Sequence, residues 1–495
     1  RIASSGYLER TAASMEDCMR DPTRRNFLLG STAFAALGAR AKAAAQVPNV
    51  ILCMADDQGW GDTGYNGHPF LQTPHLDAMS RAGIRFNRFY AGAPVCSPTR
   101  GSALTGRHPF RYGVNSANSG HIRAPEITLA EMLKQRGYAT GHFGKWHLGT
   151  LTNDQEDGRR GGRRPEHYAP PWEHGFDQCF SAEVQMPTWN PMENQAFPSK
   201  YWTAEGEYAT ENLSGDDSRV IMDRAIPFIR QAAAAQTPFF AVIWFHAPHR
   251  PVVAGPRHRE MYARFSEAEQ HYYGCITALD EQVGRLRAEL RKLEVADDTM
   301  LFYCSDNGPE GRAPHGKVDR GSSGGLRGRK RSLFEGGLRV PGILEWPRRV
   351  AAGRVTNMPA STCDYFSTIA AALGEDAPAG RRPIDGVSLL PLIDGDTGRR
   401  GRPIAFQCPD AGEKGKHSRL GSPDHALIGD RYKLLSYLDE KREGQDMLFD
   451  ISLDPGERHD LAGELPDMAA RMKQYLLDWD ASCARSAEGA DYASG

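Results

Sequence analysis

Residues 93–113 hold a cysteine in a setting that favours nucleophilic chemistry. Within this stretch, Cys96 is followed by Pro98 and Arg100 in the order Cys-Ser-Pro-Thr-Arg. A short helix is predicted over residues 101–105, because Gly106 is typical of a helix end. Cys96 is therefore expected in the loop that leads into a helix N-terminus, where backbone N–H groups favour an anion. An isolated cysteine is more often a structural residue, so its chemistry depends on the groups that other segments bring to it.

Two polar pairs, Asp56-Asp57 and Asp306-Asn307, come at the ends of apolar runs. Such runs predict strands buried on both faces, as in a parallel sheet under helices. In these sheets chemistry gathers beyond the C-terminal ends of the strands. Turn-forming aspartates are the alternative, but adjacent carboxylates repel unless a cation lies between them. The four side chains therefore predict a divalent cation site, and their oxygen ligands suit Ca²⁺ or Mg²⁺ rather than Zn²⁺.

Basic residues in three further segments are candidates for the same site. Lys145 and His147 lie in Gly-Lys-Trp-His-Leu-Gly, and on an extended segment their side chains would point to the same side. His249 lies in Pro-His-Arg-Pro after an apolar run, and His246 nearby has a weaker claim. Lys330 opens a segment that continues as Arg-Ser-Leu-Phe-Glu-Gly-Gly-Leu-Arg-Val-Pro. Taken singly, each of these residues is more often a surface group or a satisfied core group.

Together these segments resemble the signatures of the type I sulfatases, a family of the alkaline phosphatase-like superfamily. The resemblance rests on Cys-x-Pro-x-Arg, Gly-Lys-Trp-His-Leu-Gly, Pro-His-x-Pro and Lys-x-x-x-x-Glu-Gly-Gly-x-Arg-x-Pro, and it extends over residues 48–479. In that family the cysteine is oxidised after translation to formylglycine, an aldehyde whose hydrate is the nucleophile. The resemblance implies hydrolysis of a sulfate monoester, on a sulfated carbohydrate or an aryl sulfate, to an alcohol and inorganic sulfate.

The resemblance also implies a role for each matched side chain. Arg100 holds the formylglycine hydrate, while Lys145 and Lys330 neutralise the charge of the sulfate group. His249, with Lys330, protonates the departing alcohol, so the two lysines and His249 also contact the substrate. His147 removes a proton from the hydrate, so that sulfate leaves and the aldehyde is regenerated.

The implied cofactor is Ca²⁺ rather than Mg²⁺. Its ligands would be the converted residue 96 and the four polar side chains at the strand ends: Cys96, Asp56, Asp57, Asp306 and Asn307. A formylglycine-generating enzyme is the implied partner for maturation.

Three other functions compete with this prediction. A phosphonate or phosphate ester hydrolase of the same superfamily can share the Cys-x-Pro-x-Arg signature. A binding protein that keeps the anion pocket without catalysis is disfavoured, because every matched catalytic position is filled. A thiol hydrolase that uses unmodified Cys96 is disfavoured because the candidate histidines lie among cationic residues rather than in a triad pattern.

The elements that must position these residues indicate an α/β fold with a large, mostly parallel sheet sandwiched by helices. Buried strands are predicted over three apolar runs, at residues 49–55, 238–245 and 299–304. Helices are predicted from periodicity and end signals at residues 76–83, 128–136, 220–235, 266–293 and 364–373.

Three other regions complete the predicted organisation. Residues 84–90 are expected to form one strand that delivers the chain to Cys96. Residues 151–215 show little periodicity and are expected to form a substrate-specificity excursion. Beyond the catalytic domain of residues 46–380, residues 381–495 shift to short alternating strands, which predict a smaller antiparallel subdomain packed on that domain.

The first 45 residues are predicted to be an export signal that is removed. Arg24-Arg25 precede a short apolar run and small residues, which resembles a twin-arginine signal and predicts a periplasmic or secreted protein. No later segment has the ~20 apolar residues that a membrane helix needs. The formal charge of −2, from 60 basic and 62 acidic residues, disfavours a nucleic-acid partner. Nine cysteines without a Cys-x-x-Cys spacing support neither a zinc site nor a disulfide framework.

Overall fold

A computed structural model describes residues 47–311, 321–375, 382–395, 398–408, 422–438 and 446–492. The predicted export signal lies outside the described residues. Within them, no helix combines the length and the apolar character needed to cross a bilayer. The eight cysteines of this part of the chain are all buried.

The main sheet of the described chain has ten strands in the order β12-β2-β11-β9-β1-β8-β4-β5-β6-β7. Its central strands β9, β1, β8, β4 and β5 are parallel to one another. The antiparallel pairings lie on either side of this centre, where β11 joins β9 to β2 and where β6 and β7 follow β5. The apolar runs at the centre are buried along their whole length because helices cover both faces. The predicted fold class is confirmed.

The strands have the following bounds: β1 Asn49–Ala55, β2 Ile84–Phe86, β3 Phe89–Tyr90, β4 Ala139–Lys145, β5 Gln178–Ala182, β6 Trp202–Ala204, β7 Glu207–Tyr208, β8 Phe239–Trp244, β9 Thr299–Ser305, β10 Arg339–Val340, β11 Gly342–Glu345, β12 Arg354–Thr356, β13 Ala360–Ser361, β14 Ile404–Gln407, β15 His425–Ile428, β16 Tyr432–Ser436 and β17 Met447–Asp450. The α-helices are α1 Pro74–Ala82, α2 Cys96–Thr105, α3 Pro109–Tyr112, α4 Leu129–Lys134, α5 Asp217–Ala234, α6 Pro256–Glu260, α7 Glu267–Lys292, α8 Glu335–Leu338, α9 Asp364–Ala372, α10 Leu390–Ile393 and, as α11, Pro466–Ala487.

Local sequence signals account for the starts of two helices. Thr128 caps α4 by accepting from the Glu131 backbone N–H, while the Glu131 side chain accepts from the Thr128 N–H. Ser266 and Glu269 form the same reciprocal arrangement at the start of α7. Such capping boxes satisfy backbone donors that would otherwise lack partners. The predicted positions of both helices are confirmed.

Strands β14 to β17 form an antiparallel sheet in chain order, and α11 packs against one of its faces. Its opposite face packs with β3 and α8, through a cluster that includes Tyr90, Phe334 and Phe406. The predicted antiparallel C-terminal sheet is therefore confirmed, whereas the domain boundary at residue 380 stays a prediction.

Two local predictions were wrong. Residues 84–90 form two strands, because β2 pairs with β11 and β12 in the main sheet while β3 pairs with β10 and β13 in a small separate sheet. The Asn87 N–H donates to Thr356 O between them. Residues 151–215, whose weak periodicity predicted no regular elements, contain β5, which adds a strand to the parallel core beside β4. The role of this region in substrate specificity stays a prediction. A five-residue strand near the edge of the parallel region leaves too short a pattern to be recognised from sequence.

Candidate active site

The acidic pairs meet because β1 and β9 are parallel neighbours in register. Ala55 pairs with Ser305, so the residues that follow both strands emerge side by side. The Asp57 backbone N–H donates to Asp306 Oδ1 at 3.1 Å. Asp57 has a φ of 67°, a left-handed conformation that aspartate tolerates better than most residues. The chain thus turns sharply where the carboxylates gather.

Each of the three carboxylates is bonded to a cation. Asp56 Oδ2 lies 2.6 Å from the ammonium nitrogen of Lys145, at the end of β4. The Lys330 ammonium lies 2.5 Å from Asp57 Oδ1. Asp306 Oδ2 accepts a 2.6 Å hydrogen bond from Arg100. All six of the side chains just named are at most 3% exposed, so these charges interact in an environment of low polarity.

Three buried oxygens in this cluster have no hydrogen-bond partner among the described residues: Asp56 Oδ1, Asp57 Oδ2 and Asn307 Oδ1. Asn307 is oriented by its own amide group, which donates to Asp57 Oδ1 at 2.7 Å. Buried acceptors without partners are costly and rare. Their position and chemistry match the ligands of a hard divalent cation. Three of the predicted metal ligands, Asp56, Asp57 and Asn307, therefore fit such a cation. Both carboxylate oxygens of Asp306 already accept hydrogen bonds, from the Asp57 N–H and from Arg100.

The electrostatics of the cluster agree with this fit. Burial, and then the neighbouring Asp56 charge, raises the pKa of Asp306 to about 6, although Arg100 acts in the opposite direction. For Asp57, burial also acts to raise the pKa, but Lys330 and His249 outweigh it and hold the pKa below its ordinary value. A divalent cation among these oxygens would favour the ionised form of every carboxylate.

Cys96 is the first residue of α2 rather than part of a preceding loop, so the predicted start of this helix at residue 101 was wrong. Pro98 fits within the first turn because the N–H that proline lacks would have no partner there. Cys96 is 2% exposed. Arg100 lies one turn later, where it donates to Lys145 O at 3.2 Å and its guanidinium lies 5.2 Å from the centre of the Trp244 ring.

His147 does not continue β4 as an extended residue, which corrects the prediction made for it together with Lys145. Strand β4 ends at Lys145, and His147 has a φ of 60°. The His147 Nε2 lies 2.9 Å from Asn118 Oδ1, while its buried Nδ1 has no partner among the described residues. Burial, and then the charges of Lys145 and Arg160, hold the pKa of His147 well below its ordinary value.

Asn118 is the site residue that sequence reasoning missed. It lies in the turn-like segment Asn-Ser-Ala-Asn-Ser-Gly and has a φ of 62°. The available signal was the tolerance of asparagine for left-handed turn positions, which predicts a turn but no contact with a residue 29 positions away.

His249 lies beside Asp57. Its Nδ1 bonds the Arg250 carbonyl oxygen at 2.7 Å, and its Nε2 lies 3.6 Å from Asp57 Oδ2. Its side chain is 16% exposed, which leaves an edge open to a ligand. Burial, and then the charges of Lys330 and Lys145, lower the pKa of His249 to about 3, although the Asp57 charge acts against this.

One oxygen of Asp56, one of Asp57 and one His249 nitrogen lie within 4.8 Å of one another. His249 is therefore close enough to count as a further possible metal ligand. His246 instead bonds Asp217 Oδ2 through Nδ1 at 2.9 Å. It is held by α5 rather than by the carboxylate cluster, which agrees with its weaker claim.

The comparisons with known proteins agree with this geometry. The family model described as Sulfatase matches residues 48–375, and the model described as N-sulphoglucosamine sulphohydrolase, C-terminal, matches residues 328–481. The chain belongs to the sulfatase family. It is 35% identical to the N-acetylgalactosamine-6-sulfatase of Sus scrofa over 394 residues, covering 75% of this chain and 70% of that protein. It is 32% identical to the arylsulfatase A of Homo sapiens, covering 88% of each protein.

The solved structure of Ps i-CgsB in complex with k-i-k-neocarrahexaose is similar as well. The TM-score is 0.74 at 26% identity, covering 88% of this sulfatase and 93% of that chain. Sulfatases generally use a formylglycine and a metal ion. The predicted family and the predicted hydrolysis of a sulfate ester are confirmed, and the roles of individual residues stay predictions.

Proposed function

We propose that this sulfatase removes sulfate from a carbohydrate sulfate monoester, using a formylglycine formed from Cys96 and a divalent cation, Ca²⁺ rather than Mg²⁺. The observation that carries the proposal is a set of three buried oxygens, on Asp56, Asp57 and Asn307, without a hydrogen-bond partner in the described part of the chain. The cations beside them are Lys145, Lys330 and Arg100. A carbohydrate substrate is supported by the names of two similar proteins, an N-acetylgalactosamine-6-sulfatase and a protein solved with a neocarrahexaose.

The basic side chains account for recognition of the sulfate group. A sulfate monoester is an anion, and Lys145 and Lys330 lie on two sides of the carboxylate cluster. Arg100 reaches the cluster from α2, the helix that Cys96 begins. Fixed cations that face developing negative charge contribute on the order of 3 kcal/mol each to transition-state stabilisation. When bound, the divalent cation polarises the sulfate group and neutralises its charge.

A hydrated formylglycine at position 96 supplies two hydroxyl groups on one carbon, one to attack sulfur and one to help expel sulfate afterwards. Arg100 keeps this residue in place from one helical turn away. Cys96 is almost completely buried in the folded chain. We therefore infer that a formylglycine-generating enzyme acts on the segment before it folds.

His147 is suited to accept a proton. An amide oxygen can only accept, so the contact with Asn118 Oδ1 requires the proton of neutral His147 to be on Nε2. Nδ1 then carries a free lone pair, and the lowered pKa keeps the ring neutral near pH 7. These are the properties of the base that the second half of the reaction needs.

His249 is suited to give a proton once substrate is bound. Its low pKa arises partly from the charges of Lys330 and Lys145. A bound sulfate ester offsets both charges, which favours the protonated imidazole. The exposed edge of His249 can then donate to the oxygen of the departing alcohol.

Mass spectrometry of the tryptic peptide of residues 89–100, from protein made in its native host, tests the proposal. We expect residue 96 as the aldehyde or its hydrate, and loss of activity on sulfated sugars in Cys96→Ala. An intact thiol in active protein would overturn the formylglycine assignment. Faster turnover of phosphonate or phosphate esters than of every sulfate ester would favour the related hydrolases instead.

The proposal also includes the twin-arginine signal and a periplasmic or secreted location. N-terminal sequencing of the exported protein tests both.

A further inference from the structure

A loop beside the active site carries four arginines, and three of them are bonded to carboxylates. These three pairs are Arg160 with Glu183, Arg163 with Glu156 and Arg164 with Glu166. Arg159 differs. Among the residues that the structure describes, no carboxylate lies within ion-pair distance of its guanidinium.

The Arg159 guanidinium instead lies over the ring of Phe197, 4.2 Å from the ring centre. An aromatic face orients an arginine and attracts it without neutralising its charge. The guanidinium remains exposed on its other side. Arg159 is therefore a fixed cation whose hydrogen-bond donors are available to a ligand.

The backbone around Arg159 is held in place. The Gly158 N–H donates to Pro198 O at 2.6 Å, and the Lys200 N–H donates to Asp157 Oδ1 at 2.9 Å. These bonds tie residues 157–159 to residues 197–200, the segment that provides Phe197. Asp157 and Gly158 are buried, so the exposed guanidinium projects from an ordered support.

This loop borders the catalytic centre. Partial burial lowers the pKa of Arg159, while the charges of Cys96 and of Glu183, which is paired with Arg160, act to raise it. Arg159 and Cys96 therefore lie within electrostatic reach of each other. The next residue, Arg160, donates to Gly120 O at 2.6 Å, close in the chain to the Asn118 side chain that bonds His147. The catalytic cations Lys145 and Lys330 are each bonded to a carboxylate, whereas Arg159 is not. The charge of Arg159 is therefore available to bind an anionic group of a ligand at the rim of the pocket.

We propose that Arg159 binds a second anionic group of the substrate, a carboxylate or a second sulfate carried by the same sugar or by its neighbour. The preferred substrate is then a polyanionic oligosaccharide rather than a saccharide with a single sulfate. This inference rests on the proposed carbohydrate sulfatase activity. A planar guanidinium with several donors suits both kinds of anion, because each offers paired oxygens.

The test compares substrates that differ only in the second anion. The probes are a hexosamine 6-sulfate, the same sugar with a second sulfate, and its disaccharide with a neighbouring uronate. The ratio of kcat/KM for each dianionic probe to that for the monosulfate is measured in the wild type, in Arg159→Ala and in Arg159→Lys. Arg163→Ala is the control, because Arg163 lies in the same loop but is paired with Glu156.

We expect the wild type to prefer at least one dianionic probe, and we expect Arg159→Ala to lower that preference roughly tenfold to a hundredfold. Arg159→Lys should keep part of the preference, and Arg163→Ala should keep all of it. The probe whose preference is lost identifies the anion as a sulfate or a carboxylate. A wild type without preference, or an Arg159→Ala variant with the wild-type ratio, would overturn the inference.

A second measurement separates this inference from the proposed function. Inhibition of 4-methylumbelliferyl sulfate hydrolysis by the same three sugars reports binding whether or not the sugars are cleaved. If no sugar is cleaved, the proposed carbohydrate activity is wrong. Tighter inhibition by a dianionic sugar, lost in Arg159→Ala, would still support the role of Arg159, and equal inhibition constants for all three sugars would contradict it.

Discussion

The ammonium nitrogen of Lys145 lies 2.6 Å from Asp56 Oδ2, yet the other carboxylate oxygen of Asp56 is buried with no hydrogen-bond partner among the described residues. The cation at the end of β4 thus satisfies only half of the carboxylate at the end of β1. Asp57 has the same pattern, since Lys330 bonds one of its oxygens and no residue that the structure describes donates a hydrogen bond to the other. Each of these two carboxylates thus has one oxygen available as a ligand, and the Asn307 amide oxygen lies beside them. Together the three oxygens can bind one cation.

The first prediction concerns cation removal. Chelation should abolish sulfatase activity, and a hard divalent cation should restore it, because the donors are carboxylate and amide oxygens. The family resemblance predicts that Ca²⁺ restores it better than Mg²⁺. Adding Ca²⁺ to the chelated protein should also raise its Tm. At a Ca²⁺ concentration 100-fold above Kd, the free energy of unfolding should increase by about 2.7 kcal/mol. Asp57→Asn should lose most of this Ca²⁺-dependent increase in Tm.

Asp280→Asn is the control, because the Asp280 carboxylate is buried but accepts hydrogen bonds from the His75 and Leu76 backbone N–H groups instead. Full activity after exhaustive chelation would contradict the prediction.

The second prediction concerns Asn118, which holds His147 by its Nε2. Asn118→Gly removes the acceptor yet tolerates the φ of 62°, whereas Asn118→Asp keeps an acceptor oxygen. We expect Asn118→Gly to lower kcat on the order of tenfold or more, because the His147 ring loses its fixed tautomer. Asn118→Asp should retain more activity. Mass spectrometry should find residue 96 carrying covalent sulfate in Asn118→Gly during turnover, since His147 acts after sulfur is attacked. Equal kcat values in both variants and the wild type would exclude this role.

The third prediction concerns a buried ionic network that joins α8 to the C-terminal sheet. Lys433 on β16 lies 3.0 Å from a Glu335 carboxylate oxygen and 2.9 Å from one of Glu457. The Tyr90 hydroxyl donates to the other oxygen of Glu335 at 3.0 Å. Lys433→Met leaves two buried carboxylates without their cation and should cost about 3–5 kcal/mol of unfolding free energy.

Urea denaturation of the wild type and of Lys433→Met measures this loss of unfolding free energy. Lys473→Met is the control, because the partly exposed pair that Lys473 forms with Asp446 should contribute less than about 1 kcal/mol. If the two substitutions have the same cost, the network does not stabilise the fold in this way.

The positions of the candidate site residues are predictable from sequence where local pattern and strand topology coincide. Asp57 and Asp306 each follow an apolar run, and parallel strands deliver such ends to one edge. Lys330 is different, because nothing local links it to Asp57, 273 residues away. Only its motif identified it, which is why the resemblance was needed for the complete site.

Other features depend on tertiary contacts that a sequence pattern does not contain. Polar and apolar residues still alternate in the sequence beyond Lys145, which predicts a continuing strand. In the structure β4 ends at Lys145, and His147 adopts a left-handed conformation instead. Arg159 and Arg163 are chemically identical in the sequence. They differ only because a carboxylate lies beside Arg163 and an aromatic ring lies beside Arg159.

The last prediction concerns the pH dependence of stability at His425. The His425 ring bonds Asp424 through Nδ1 at 2.8 Å and Asp480 of α11 through Nε2 at 3.4 Å. Burial acts to lower its pKa, but the two carboxylates outweigh burial and raise the pKa above its ordinary value of 6.5. The stabilisation from this group is therefore complete below the unfolded pKa and is lost as the pH rises through the folded pKa.

The difference in Tm between the wild type and His425→Gln should thus be largest at about pH 5.5 and should shrink toward about pH 9. His459→Gln is the control, since His459 forms an exposed pair with Glu464 that should contribute little at any pH. A difference that grows as the pH rises would have the wrong sign for a raised pKa. It would mean that the folded state prefers the neutral imidazole, and that burial rather than Asp424 and Asp480 controls this contact between β15 and α11.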